Sequence, residues 1–206
     1  MALTYPEENK LEENKRMIND ILERTISLTI DNFSLKEDFK NDCSSVSFIL
    51  FYNDKRVQQK FEICNSGSGA IDAIYTGILN KFENDYISLR NVILYDFLVS
   101  VKFQESKTIL STDAPVEVKI GLLGTSASKN RLYFKAKSNS IVKSSLIAVC
   151  SAMEYLINSE LAVIQLCADI KNASERQRVD LKEEYISKLS KLVEFISYSK
   201  TIEKNK

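Results

Sequence analysis

Along this chain the spacing of apolar residues alternates between a helical and a strand-like period. In residues 7–24, Leu11, Ile18 and Leu22, with Met17 and Ile21, form one stripe of a helix whose other positions are mostly charged. Residues 25–39, TISLTIDNFSLKEDF, alternate in part and read as a strand, and Asn41-Asp42 opens a polar break. VSFILFY (46–52) and RVQQKFEIC (56–64) flank Asn53-Asp54-Lys55, which makes them a hairpin. Gly67-Ser68-Gly69 ends the second run. From Ala70 to Phe82 the period is helical again, with Ile71, Ile74, Ile78 and Phe82 recurring on one face.

The same order then repeats. VILYDFLVSVKF (92–103), APVEVKIGLL (114–123) and RLYFKAK (131–137) read as strands, with Val116, Val118 and Ile120 on one face of the middle one. Ser140 to Asn158 is a strongly apolar helix. Each helix can cover one face of its own three-stranded sheet, which is how such a unit buries its apolar side. The expected fold is therefore α+β, with two βββα units and helical extensions at both ends. The expected organisation is an N-terminal extension over 1–27, the paired units over 28–160 and a C-terminal extension over 161–206. In that last extension Val179, Ile186, Leu189, Leu192, Val193 and Ile196 keep an amphipathic stripe. Ser174-Glu-Arg-Gln177 has capping-box spacing and predicts a break at Asn172 to Ser174, and SKTIEKNK is expected to fray.

Composition narrows the function more than the fold. Lys+Arg and Asp+Glu are 28 each, which argues against a chain built to coat nucleic acid, since that affinity comes mostly from basic residues on phosphates. No apolar run approaches the roughly 20 residues that span a bilayer, and the acidic, polar N-terminus is unlike a signal peptide. A cytoplasmic protein with no membrane partner is expected. Cys43, Cys64, Cys150 and Cys167 form no CxxC pair and are expected to stay reduced. The chain has no histidine. That removes Ser-His-Asp and Cys-His nucleophilic systems and most zinc sites, so no catalytic residue, metal or cofactor is expected.

The junction of strand and helix at Gly67-Ser68-Gly69 raises the question of phosphate binding. A dinucleotide fingerprint has a third glycine where Asp72 stands here, and the Gly-Lys-Ser/Thr ending of a P-loop is absent. The Asp72 carboxylate in the first helical turn opposes an anion. Two uses of the junction remain: Asp72 offsets the helix dipole in a tight turn, or backbone amides hold a carboxylate while Asp72 holds an ammonium, which suits a free amino acid.

Four segments carry a resemblance. GSGAIDAIYTGI resembles the G-N-G-P-V-D-A segment of the C-terminal regulatory domain of 2-isopropylmalate synthase and citramalate synthase. LYDFLVSV (94–101) resembles that family's L-x-D-Y-x-V strand, and STDAPVEVKI (111–120) its G-T-D-A-x-x-E-V strand. SIVKSSLIAVCSAMEYLI (140–157) resembles its second helix. All four stand in family order over about residues 28–160.

The resemblance implies a non-catalytic regulatory domain of branched-chain amino-acid biosynthesis. Such a domain binds leucine or isoleucine at a homodimer and controls a synthase, here a separate subunit, because the family's catalytic barrel needs on the order of 250 residues. It implies effector contacts at Gly67, Ser68, Gly69, Ala70, Ile71, Asp72 and Ala73. It also implies contacts at Asp96 and Phe97, at Thr112, Asp113, Ala114 and Val116, and at Ser140 and Ile141. Departures stand beside it: Ser140 replaces an aspartate, Ser144 an alanine, and the glycine-bearing turn before the second helix is absent. The alternative is an assembly module that kept the fold and lost the ligand. Asp72, Asp96 and Asp113 also offer oxygens to Mg²⁺, against the plainer reading of solvated turn carboxylates.

Overall fold

The computed structural model describes residues 5–54, 57–101, 115–124 and 131–204. Helix α1 (Tyr5–Ile21) precedes β1 (Ser27–Asp38), β2 (Cys43–Asp54), β3 (Val57–Gly67) and α2 (Ala70–Phe82). A 3-10 turn (Ile87–Asn91) leads into β4 (Val92–Val101), β5 (Val116–Gly124), β6 (Arg131–Ser138) and α3 (Ile141–Glu175), followed by α4 (Val179–Val193) and α5 (Ser199–Lys204). The strands form two antiparallel sheets, β1-β2-β3 and β4-β5-β6. The chain is two βββα units, as the periodicity predicts.

Alternation decides which face of each sheet is covered. On β2, Val46, Phe48 and Leu50 are buried, and on β5, Val116, Val118, Ile120 and Leu122. Helix α2 packs on β2 and β3, and it comes close to β3 because Gly77 has no side chain. A Cβ there would lie 3.1 Å from Ile63 Cγ2 and 3.2 Å from Asn65 Cβ. Asn65 fixes the helix in that position, donating from Nδ2 to Ala73 O at 2.9 Å and to Thr76 Oγ1 at 2.7 Å. At the far end of α2, Phe82 is enclosed by Tyr52, Phe61 and Tyr86, whose hydroxyls (Tyr52 and Tyr86) share a hydrogen bond of 2.8 Å. Burial pushes both phenols above their ordinary range.

Helix α3 belongs to both units. Its main face lies on β5 and β6, and it also packs against β1, α1 and α2. Three polar residues along it tie distant segments to the core. Asn158 uses both ends of its amide on Ile26, accepting from N at 2.7 Å and donating to O at 2.9 Å. Glu154 accepts from Leu28 N at 2.6 Å. Glu160, 2% exposed, accepts from Ser88 N at 3.0 Å, Ser88 Oγ at 2.6 Å and Thr201 Oγ1 at 2.9 Å. One buried carboxylate thus joins the 3-10 turn between the units to α5.

Four expectations need correction. By length and composition α3 is apolar enough to cross a bilayer, contrary to the reading of apolar runs, yet 72% of its most apolar window is buried inside the fold. α3 also passes residue 160 without interruption. The capping box at Ser174 does not form, because the Ser174 hydroxyl donates to Ile170 O within α3. The helix instead ends at Glu175, where Gln177 N meets Ser174 O and Arg178 N meets Ala173 O, with Gln177 at φ 55. Last, residues 199–204 are helical rather than frayed, and Tyr198 and Thr201 are buried.

The left-handed conformation at Gln177 suits glycine, since a Cβ there crowds the following carbonyl. Gln177→Gly should therefore stabilise the chain by about 1 kcal/mol, read as a small upward shift in a thermal melt. A decrease would mean that the Gln177 side chain has an uncounted role.

Candidate functional site

The Gly67-Ser68-Gly69 junction is a tight turn from β3 into α2. Asp72 is the third helical residue, and its Oδ2 accepts from Ser68 N at 3.0 Å and from Ser68 Oγ at 3.3 Å. The carboxylate therefore folds back over the turn, the way an acid at this helix position satisfies a free amide ahead of the cap. Gly67 makes room for it: a Cβ there would lie 2.5 Å from Asp72 Oδ2 and 2.8 Å from Ala73 N. Gly69, the N-cap, is the opposite case. It supplies no side-chain cap, and a Cβ there would meet nothing within 4 Å. Open space therefore lies beside the N-cap itself. Ala70 and Ile71 are half-buried, and Ala73 is fully buried in the core.

The remaining residues implied by the resemblance are spread over the second unit. Asp96 and Phe97 are neighbours on β4 and so point to opposite faces. Phe97 pairs with Ile120 on the core face, whereas Asp96 lies over Gly121 on the outer face, where a Cβ on that glycine would be 2.8 Å from Asp96 Cβ. Val116 is buried, and its carbonyl accepts from Ser144 Oγ at 3.1 Å. Thr112, Asp113 and Ala114 lie outside the described residues. Ser140 is the N-cap of α3, its Oγ accepting from Lys143 N at 3.3 Å, and Ile141 is exposed beside it. Among the described residues no hydrogen bond joins the α2 turn to the α3 turn, and no group of three metal-ligating side chains occurs. None of the five described cavities is lined by Gly67–Ala73, Asp96, Phe97, Val116, Ser140 or Ile141.

The serines at the start of α3 bond to one another and to β5. Ser138 Oγ donates to Ser140 O at 2.9 Å, Ser140 N donates back to Ser138 Oγ at 3.2 Å, and the Ser138 and Ser144 hydroxyls lie 2.8 Å apart. With Ser144 bonded to Val116, three hydroxyls hold β5, β6 and the first turn of α3 together.

Strand β4 has the most unusual surface. It lies at the edge of its sheet, and Ile93, Tyr95, Phe97, Leu98 and Val101 are all exposed. Register explains half of this. Phe97 and Val101 share the face of Ile120 and Val116, but α3 lies over β5 and β6, so the apolar face extends past the helix. A bulge between Leu94 and Asp96 turns Tyr95 outward, where the Arg131 guanidinium stacks 4.4 Å from its ring centroid.

Sequence reasoning missed the polar residues of α3. Ser151, Glu154 and Asn158 recur at helical spacing, a polar line on an otherwise apolar helix, and that line is the signal that marks them. Glu154 sits where two cavities of about 290 and 280 Å³ adjoin, between α1, β1 and α3. Burial raises its pKa above the usual carboxylate range, against the lowering effects of the Leu28 amide and of Lys15. Burial likewise pushes the neighbouring Cys150 thiol up to about 12, so it stays protonated and inert.

No protein-family model matches the chain, and no curated protein matches its sequence.

Proposed function

We propose that this chain is a non-catalytic regulatory module that takes a branched-chain amino acid, leucine or isoleucine, as effector at a homodimer and controls a separate synthase subunit. The observation that carries the reading is β4. A long, apolar, exposed edge strand is normally covered, and Phe97 of the implied effector contacts is part of that apolar surface. Among the described residues none of the five cavities reaches the Gly67–Asp72 turn or β4, which suits an effector pocket completed by a second copy. The start of α2, with open space beside Gly69, is suited to the effector carboxylate, since the first amides of a helix have no partner within it.

A second reading, an assembly module without an effector, is favoured by Asp72. Its carboxylate already accepts from Ser68 twice, so an incoming ammonium has to compete with the turn itself.

Sedimentation equilibrium and a thermal-unfolding screen against leucine, isoleucine, valine and their 2-oxoacids separate the two. The expected result is a dimer whose melting temperature rises with one branched amino acid. Ligand at 100 times its dissociation constant adds about 2.7 kcal/mol, or roughly 5–10 °C for a chain of this size. In Asp72→Ala that ligand-induced rise should vanish. A dimer with no response to any of them at millimolar concentration leaves the assembly reading, and a monomer removes both.

A further inference from the structure

The cleft between α1, β1 and α3 is lined by none of the residues of the proposed effector site. Its apolar part is lined by Leu28, Ile30, Leu146 and Ile147, the last of these exposed at the rim. Glu154 forms part of the wall of both adjoining cavities. Only one of its oxygens has a hydrogen-bond partner among the described residues, the Leu28 amide on Oε1.

The charge on this carboxylate is offset only in part, by Lys15. Among the described residues no lysine or arginine forms an ion pair with it. Lys15 approaches from α1, but its Nζ is 2.7 Å from Glu12 Oε1. Lys143, at the other end of the apolar part, lines the cavity without pairing Glu154. Holding a Leu28 amide needs only a neutral acceptor, which glutamine or threonine supplies at lower desolvation cost. A half-buried carboxylate without a paired counter-ion is costly beside apolar walls, and that cost falls when a cation closes on it.

We propose that this cleft binds a small aliphatic ammonium compound, with its cation on Glu154 and its branched apolar tail between Leu28, Ile30, Leu146 and Ile147. The geometry supplies both halves of such a ligand: a charge-assisted acceptor at one end and a mainly aliphatic slot at the other. The site goes beyond the effector reading, since it lies within a single chain and involves neither the α2 turn nor β4.

Calorimetric titration of the full chain with 3-methylbutylammonium chloride tests it, alongside 4-methylpentanoate and plain ammonium chloride. Saturable one-to-one binding of the amine is expected, with none for the carboxylate or for ammonium alone. Glu154→Gln should weaken the amine at least tenfold, which is about 1.4 kcal/mol, and it should still fold, since the amide oxygen can accept from Leu28 N. Ile147→Lys, at the exposed rim, places a competing cation at the mouth and should abolish binding by itself. Asp72→Ala should leave amine binding unchanged, which separates this site from the effector reading. Absent binding overturns the proposal. So does equal binding of 4-methylpentanoate, or amine affinity unaffected by both Glu154→Gln and Ile147→Lys.

Discussion

Replacing Glu160 with alanine lowers the melting temperature by on the order of 10 °C. The carboxylate takes three hydrogen bonds inside the core: two from Ser88 in the 3-10 turn and one from Thr201 in α5. Alanine removes the acceptor of both Ser88 donors and of the Thr201 hydroxyl, and removing one partner from a buried charged network typically costs about 3–5 kcal/mol. Glu160→Gln is the informative companion. It keeps the volume and one acceptor but turns an NH2 toward donors, so it should fall between wild type and alanine. The loss should also be local in character, exposing residues near 199–204 and 87–91 to amide exchange before the sheets open. A thermal melt within a degree or two of wild type for Glu160→Ala would mean that water replaces the carboxylate and that α5 is not held through it.

Gly124→Ala should cost about as much, for a steric reason. A Cβ at Gly124 would lie 2.1 Å from Phe195 O, a separation no real pair of atoms tolerates, and the obstacle is backbone rather than a side chain that can rotate away. Either the end of β5 or the segment after α4 must shift, and overpacking of this kind costs about 1–3 kcal/mol or more. Phe195, Ile196 and Tyr198 are all buried, so a shift there opens core. Limited proteolysis should cut the variant in the segment following α4 well before wild type, and Gly69→Ala, whose Cβ meets nothing within 4 Å, is the control. Equal resistance of Gly124→Ala and wild type would show that the strand end yields without disturbing the C-terminal segment.

Both substitutions act on contacts between residues far apart in the chain, and there sequence reading reached its limit. Local periodicity found all six strands and set α2 at Ala70–Phe82, because each of those signals lies within one element. It did not find that α3 ends in a left-handed turn at Gln177. Ser174 has capping spacing, and only the nearby Ile170 carbonyl shows which bond its hydroxyl makes. Nor did it give meaning to Glu160, whose partners stand 72 and 41 residues away. Of the candidate site, the Gly67–Asp72 turn was legible as a turn with an acid in it, and the structure shows that acid closing on Ser68. Asp96 and Phe97 were legible as a strand, but their opposite facing follows only from the register with β5. The Glu154 cleft was not legible, since three separate elements form it.

Helix α3 runs for 35 residues without a break. From Glu154, where it borders the cleft, to Glu175 is about 32 Å at the usual helical rise of roughly 1.5 Å per residue. Over that arm a tilt of only about 5° moves the far tip by about 3 Å. After Leu166 only Ala173 of α3 is buried, and only Leu192 of α4, so the α3–α4 tip is a largely solvent-facing helical pair carried on a helix whose first half is the core.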